Sequence, residues 1–269
     1  MPYCTPLPRL PAACDYFKGE VPNFMSEQLD EMSVYDGHDL EALSDLRNYQ
    51  RWIVESFSPY LTGTGVEFGA GIGAMSQWFV PAMDQIDLVE PSPNLVDRLA
   101  RRFEDMPAVR VKSESMEAYL ASQPDESLDT VVLVNLLEHI NDDGAALEGL
   151  ARILRPGGYA LIFVPAMPAL YSRLDQLLGH HRRYTRRNLA AGVGKAGFEI
   201  VSLKYFDFLG ILPWWLVNTL GGKESFDPKL SVLYDRVGVP VTRLIESLVS
   251  PPIGKNLLLV ARRSPSQIE

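Results

Sequence analysis

The chain has 269 residues, a length for one large domain or one domain with a sizeable insertion. With 46% hydrophobic and 22% charged residues, its composition is that of a globular protein and excludes disordered and fibrous classes. A formal net charge of −9 sets the whole molecule against nucleic acid and anionic membranes, an average that only a local basic patch overrides.

The opening "MPYCTPLPRLPAACDYF" lacks a charged segment followed by an apolar one, so no signal peptide is expected. Cys4 and Cys14 match neither a zinc spacing nor a disulfide framework. They read as free thiols; no metal is expected, and the expected compartment is the cytoplasm. Residues 1–22 read as an extended, proline-rich arm. From Asp39 to Phe57, apolar residues at Leu40, Leu43, Leu46, Tyr49, Ile53 and Phe57 recur at three and four, marking one face of a helix that Pro59 ends.

Strand and helix patterns then alternate. "TGVEF", "QIDLVE" and "AVRV" are short β-rich runs, and "PNLVDRLARRFEDM" has helical period. "LDTVVLVN" is almost continuously apolar, as a strand covered on both faces should be. "DGAALEGLARIL" follows as a helix closed by the breaker "RPGG", then the strand "YALIFVP", a weaker helix in "RNLAAGVGKAG" and the strand "FEIVSLKYF". Such alternation predicts an α/β fold with a doubly wound, mostly parallel sheet, its post-strand loops gathered along one edge.

After Phe206 the pattern changes. "FDFLGILPWWLVNTLGG" is the most apolar window, yet it holds Asp207, Pro213 and Asn218 and falls short of the ~20 residues that cross a bilayer. No transmembrane helix is expected. Helical "KLSVLYDRVGVPVTRLIESLV" and a last strand, "NLLLVARR", complete the chain. The expected divisions are an N-terminal arm and helical cap (1–60), a cofactor-binding core (61–205), an aromatic and helical insertion (206–254), and the last strand with its tail (255–269).

"VEFGAGIGAMS" places Gly69, Gly71 and Gly73 at alternate positions after the first strand, a loop that lets a nucleotide cofactor approach bare backbone. Gly69-x-Gly71-x-x-Ala74 also satisfies the dinucleotide fingerprint. Glu67 separates the two cases. A dinucleotide brings a doubly negative pyrophosphate, which a carboxylate opposes; S-adenosylmethionine brings a sulfonium and an ammonium. One charge pair at ~4 Å and an effective dielectric of ~20 is worth ~4 kcal/mol before desolvation. The sign of Glu67 favours the cationic cofactor. Glu90, closing the second strand, suits the ribose hydroxyls of either cofactor.

These motifs in order resemble the class I S-adenosylmethionine-dependent methyltransferases, over about residues 40 to 205. "VEFGAGIG" is similar to the family's glycine motif, "LVEPSP" to its acidic strand end, "LDTVVLVNLLEHI" and "LARILRPGGYALIFVP" to its fourth- and fifth-strand motifs. "GHHRRYTRRNL" and "NYQRWI" resemble its small-molecule branch, distantly similar to enzymes of quinone biosynthesis. The resemblance implies a Rossmann-like sheet of seven strands, the last antiparallel. It also implies that Glu67, Gly69, Ala70 and Gly71 line the methionine part, Glu90 and Pro91 the ribose, and Glu114, Ser115 and Met116 the adenine. Asn135 then lies beneath the sulfonium. The third-strand motif departs from the family's usual Gly-Asp-Ala, being Ser113-Glu114-Ser115.

Methyl transfer asks the protein chiefly to align the acceptor and exclude water; a base is needed only where the acceptor must lose a proton. His180 and His181, after the fifth strand, are the base candidates, with His139 after the fourth as a base or a turn cap. Arg182, Arg183, Arg186 and Arg187 form either an anchor for an acidic acceptor or a solvated helix start. Tyr49 is placed to meet the cofactor carboxylate, and Trp52 to pack in the core or beside it. Arg182, Arg183 and Tyr184, with Trp214 and Trp215 of the insertion, are expected to line a partly apolar acceptor pocket; the insertion is alternatively plain helical packing or a dimer contact, and an interfacial membrane contact would want more flanking Lys and Arg. The resulting expectation is a methyltransferase acting on O, N or C of a small, partly apolar molecule. An NAD(P)-dependent oxidoreductase and a non-catalytic S-adenosylmethionine-binding protein are the rivals.

Overall fold

The computed structural model describes residues 45–224 and 227–265, all within the unit Met32–Glu269. Cys4, Cys14, the proline-rich start and the Leu40 and Leu43 of the expected helix lie outside the described residues.

The alternating pattern becomes α1 (Arg47–Phe57), β1 (Thr64–Phe68), α2 (Ser76–Phe79), β2 (Gln85–Val89), α3 (Pro93–Arg102), β3 (Val109–Lys112) and α4 (Met116–Ser122). It continues through β4 (Leu128–Val134), α5 (Asp143–Ile153), β5 (Leu154–Pro165), α6 (Arg173–Leu177), α7 (Arg186–Lys195) and β6 (Phe198–Phe206). The insertion is helical: α8 (Ile211–Trp214) runs into a π-helical turn, and α9 (Pro228–Leu233) runs through a second one, Tyr234–Gly238, into α10 (Val239–Leu248). β7 (Asn256–Arg263) closes the chain's one sheet among the described residues, of order β3-β2-β1-β4-β5-β7-β6.

β1 to β5 pair in parallel, and β7 lies antiparallel between β5 and β6. The chain winds outward from β1 to β3 and then returns to β4 on β1's other side. That switch opens a crevice at the carboxyl ends of β1 and β4, where open α/β sheets take ligands. Both faces of the sheet are covered. In β4, Val131 and Leu133 enter the core with Leu147 and Leu150 of α5, while Val132 enters the opposite one with Ile53 and Phe57 of α1. The nearly unbroken apolar run of β4 follows from this double burial. α3 starts at Pro93, whose fixed φ suits a first helical turn, and buries Leu95 and Leu99 one turn apart.

One expectation needs correction. "RPGG" does not separate α5 from the next strand. β5 begins at Leu154, and its register against β4 shifts so that Leu128 pairs with Leu154 but Thr130 with Tyr159. The breaker is a bulge within the strand, with Gly157 at φ 85°.

Candidate cofactor and acceptor site

The turn after β1 is shaped by its glycines. Gly69, Gly71 and Gly73 have φ of 69°, 55° and 78°, a region that side chains disfavour. A Cβ on Gly73 would stand 2.6 Å from the Phe103 ring. The N–H groups of Gly69 and Ala70 both donate to the Val89 carbonyl, at 2.9 and 3.1 Å, tying the turn to β2. Glu90 is buried and clamps the same turn: one oxygen accepts from Gly71 N–H at 2.9 Å, the other from Ser92 N–H at 3.0 Å. Pro91, half-buried, lies between them.

Glu67 points to the opposite face from Val66 and Phe68, its strand register set against Leu88 and Val132. It is 2% exposed, and its Oε2 has no hydrogen-bond partner. Burial pushes its carboxyl up to about 8, with Ser76 opposing and Glu90 adding to the rise. This corrects the sequence expectation of a standing negative charge. The charge is conditional: near neutrality the bare pocket favours the protonated acid, and a cation beside it would draw the proton off. An orphaned buried carboxyl beside bare-backbone glycines fits a cationic cofactor that brings no phosphate.

At the carboxyl end of β4, Asn135 adopts φ 51°, donates its N–H to Phe163 at 2.8 Å and leaves its side chain exposed. Glu114 is half-buried; Ser115 caps α4 by accepting from Ala118 N–H at 3.2 Å, and Met116 enters the core. Tyr49 differs from expectation. Its hydroxyl lies 3.0 Å from Asn256 Oδ1 and donates to it, which accounts for the group assigned to the cofactor carboxylate. Trp52 packs in the core, its ring stacked 3.7 Å from that of Phe206.

The loop after β5 is organised by Asp175, which sequence reasoning missed. Ser172 and Asp175 form a capping box at the start of α6, with Asp175 Oδ2 accepting from Ser172 N–H and hydroxyl, both at 2.8 Å. Oδ1 receives Arg183 Nε at 2.8 Å and stands 3.0 Å from His180 Nδ1. Burial alone would raise this carboxyl, but His180, Arg183 and Ser172 together hold it at about 2. The signal was present: a Ser-x-x-Asp spacing ahead of the histidines.

His180 turns its other nitrogen, Nε2, toward Glu138 Oε1 at 3.9 Å, and its ring meets that of His139 edge-on at 4.7 Å. Burial, then the charges of His180 and His181, hold His139 down at about 4. His181 is exposed. Glu138 is fully buried with neither oxygen hydrogen-bonded, and burial pushes it up to about 8 against the pull of Arg183. Glu138, His139 and His180 bring one ligand-type atom each within 4.8 Å of one another, a convergence that the expectation of no metal did not foresee.

The four arginines do not converge on one anchor. Arg182 pairs with Asp143 at 2.8 Å, Arg183 is buried against Asp175, Arg186 lies over the Tyr205 ring, and Arg187 is exposed. Tyr184 is also buried, its hydroxyl donating to Asp143 at 2.7 Å. Trp214 stacks under Arg183, 4.6 Å from ring centre to guanidinium carbon, and donates its indole N–H to Leu170 at 3.1 Å. The insertion therefore reaches the carboxyl edge through Trp214, whereas Trp215 is 40% exposed.

A family model described as "Methyltransferase domain" matches residues 23–203. The chain belongs to this family. With that membership goes S-adenosylmethionine as cofactor, which the orphaned Glu67 fits. A Streptomyces fradiae relative, an uncharacterized 37.1 kDa protein in transposon TN4556, is 26% identical over 63% of this chain and 50% of its own length. The ubiquinone biosynthesis O-methyltransferase of Xanthomonas euvesicatoria is 33% identical over 35% of this chain and 39% of its own length. The matched part thus spans half or less of these relatives. The solved S-adenosylmethionine-dependent methyltransferase of Archaeoglobus fulgidus superposes with a TM-score of 0.56 at 17% identity, covering 90% of this chain and all of that one, a likeness of fold. The methyltransferase sheet accounts for the positions of Glu67, Glu90 and Asn135 at three adjacent strand ends. Asp175 and His180 lie off the sheet, in the loop after β5.

Proposed function

We propose that this chain transfers a methyl group from S-adenosylmethionine to a hydroxyl oxygen of a small, partly apolar molecule in the cytoplasm, and that nucleic acid is not its substrate. The buried Glu67 carboxyl, whose Oε2 has no hydrogen-bond partner, at the strand end before the Gly69–Gly73 turn carries the cofactor reading. The cofactor supplies a methyl carbon activated by a positively charged sulfur.

The chain's own residues bind, orient and move a proton. Glu67, with Gly69, Ala70 and Gly71, would hold the methionine end, its carboxylate answering the cofactor's positive charge. Glu90 and Pro91 would hold the ribose, and Glu114, Ser115 and Met116 would border the adenine. Asn135 lines the space at the end of β4. His180 takes the acceptor's proton on Nε2, because Asp175 engages Nδ1 and fixes the ring. His139, held down at about 4, stays neutral and packs against that ring. Trp214 forms an apolar wall for the acceptor, with Arg183 and Tyr184 as its support. The ubiquinone-biosynthesis relative, by its name an O-methyltransferase, favours oxygen as the acceptor atom.

The test has two arms. Calorimetric titration should show S-adenosylhomocysteine binding and NAD(P) failing to bind; the reverse result sinks the cofactor assignment. Methyl-labelled cofactor should then label members of a panel of substituted phenols. His180→Gln should lower turnover by about 10²–10⁴-fold, the range of base catalysis, while His181→Ala leaves it unchanged.

A further inference from the structure

The helix formed by α9, the turn Tyr234–Gly238 and α10 is built inside out. Its carboxylates and Thr242 face the protein. Asp235 is buried and accepts from the backbone N–H groups of Asn48 and Tyr49 at 3.2 and 2.9 Å. Glu246 accepts from Phe208 N–H at 2.8 Å, and Thr242 is fully buried. Its solvent side carries Leu230, Leu233, Val237, Val241, Leu244 and Leu248, each 46% to 78% exposed.

These six side chains are three, four, four, three and four residues apart. Steps of three and four are the spacing of one helix face. A continuous row of large apolar groups in water marks an interaction surface.

Charge identifies what the surface meets. In 228–250 the outward charges are Lys229, Arg236 and Arg243, the last paired with Glu55 of α1; the two carboxylates of the helix, Asp235 and Glu246, are turned inward. In a chain of net charge −9, this face is apolar and cationic. A second copy meeting it with the same face would bring further cations, whereas an anionic lipid surface answers both features. The neighbouring stretch 208–222 has no charged residue and exposes Leu212, Trp215, Leu216 and Leu220 by 40% to 63%. Tryptophan is enriched where membrane meets water. Among the described residues no helix is long and apolar enough to cross a membrane.

We propose that the solvent side of the 228–248 helix lies on an anionic lipid surface, its leucines and valines at the acyl boundary and Lys229 and Arg236 among the headgroups. This docking is independent of the reaction assigned above.

Flotation of the full chain tests it, using vesicles of phosphatidylcholine alone and of an equal mixture with phosphatidylglycerol. Binding to the mixed vesicles should be about tenfold stronger or more and should weaken with salt. Leu233→Gln with Leu244→Gln, both at exposed positions, should lower it at least about tenfold. Lys229→Gln with Arg236→Gln should remove the preference for the mixed vesicles. Absence of vesicle binding, or binding that the leucine pair leaves intact, overturns the proposal. So does a wild-type dimer in sedimentation that the same leucine substitutions dissolve, since a second copy is then the occupant.

Discussion

The turn after β1 and the loop after β5 share one edge of the sheet and follow opposite plans. The first is backbone: three glycines at positive φ, with a buried carboxyl left short of a partner. The second is side chain: Asp175 meets Ser172, His180 and Arg183, and every oxygen of that carboxylate is engaged. The first leaves a carboxyl that burial keeps neutral, whereas the second surrounds its carboxylate with donors that keep it ionised.

The sharpest way to break the contrast is Asp175→Ala. It would strand the Arg183 guanidinium, 4% exposed, without its counter-charge. Breaking a buried pair from one side costs about 3–5 kcal/mol, so the urea midpoint should fall markedly. An unchanged midpoint would mean that the ion pair does not hold the loop.

Glu67→Gln should behave in the opposite sense. The folded carboxyl is pushed up to about 8 from an ordinary value of 4.5, so between those pH values folding takes up a proton. Stability from this group is fully present below pH ~4.5 and is lost as pH rises through ~8. The glutamine variant escapes that loss and should melt no lower than wild type at pH 8. Its affinity for S-adenosylhomocysteine should nevertheless drop about 10- to 100-fold, the worth of a charge-assisted hydrogen bond of ~1.5–3 kcal/mol. Lower stability with unchanged affinity would assign Glu67 a structural role.

The same group predicts a pH dependence of binding. A cationic ligand selects the ionised carboxyl, so wild-type affinity should rise by up to about tenfold per unit until pH approaches 8. Proton release, measured by calorimetry in buffers of different ionisation enthalpy, should accompany binding. In Glu67→Gln the rise should flatten.

The two plans also explain what could be read from the sequence. The fold was legible because apolar periodicity and glycine punctuation are local: β4 appears as an unbroken run, and the turn after β1 as three spaced glycines. The strand-end positions of Glu67, Glu90 and Asn135 were legible for the same reason. The arginine cluster misled because neighbours in sequence found separate partners, Asp143 for Arg182 and Asp175 for Arg183. Glu138 lies next to His139 in sequence, yet its isolation depends on His180 and Arg183, more than forty residues away. No local pattern encodes which partner a buried charge will meet. "RPGG" failed differently: a breaker signal marks a local kink and does not say whether the strand's pairing ends there.

Tyr49→Phe sharpens the comparison most finely. The sequence places this hydroxyl at the cofactor; the structure gives it to Asn256, at the start of β7. Removing a single neutral hydrogen bond costs about 0.5–1.5 kcal/mol, and the phenylalanine ring keeps the edge-on contacts with Trp52, Phe163 and Phe206. A small fall in melting temperature with unchanged S-adenosylhomocysteine affinity is therefore expected. If affinity falls while the melting temperature holds, the hydroxyl leaves Asn256 when the cofactor binds, and the backbone turn then recruits a side chain that the ligand-free protein keeps in its frame.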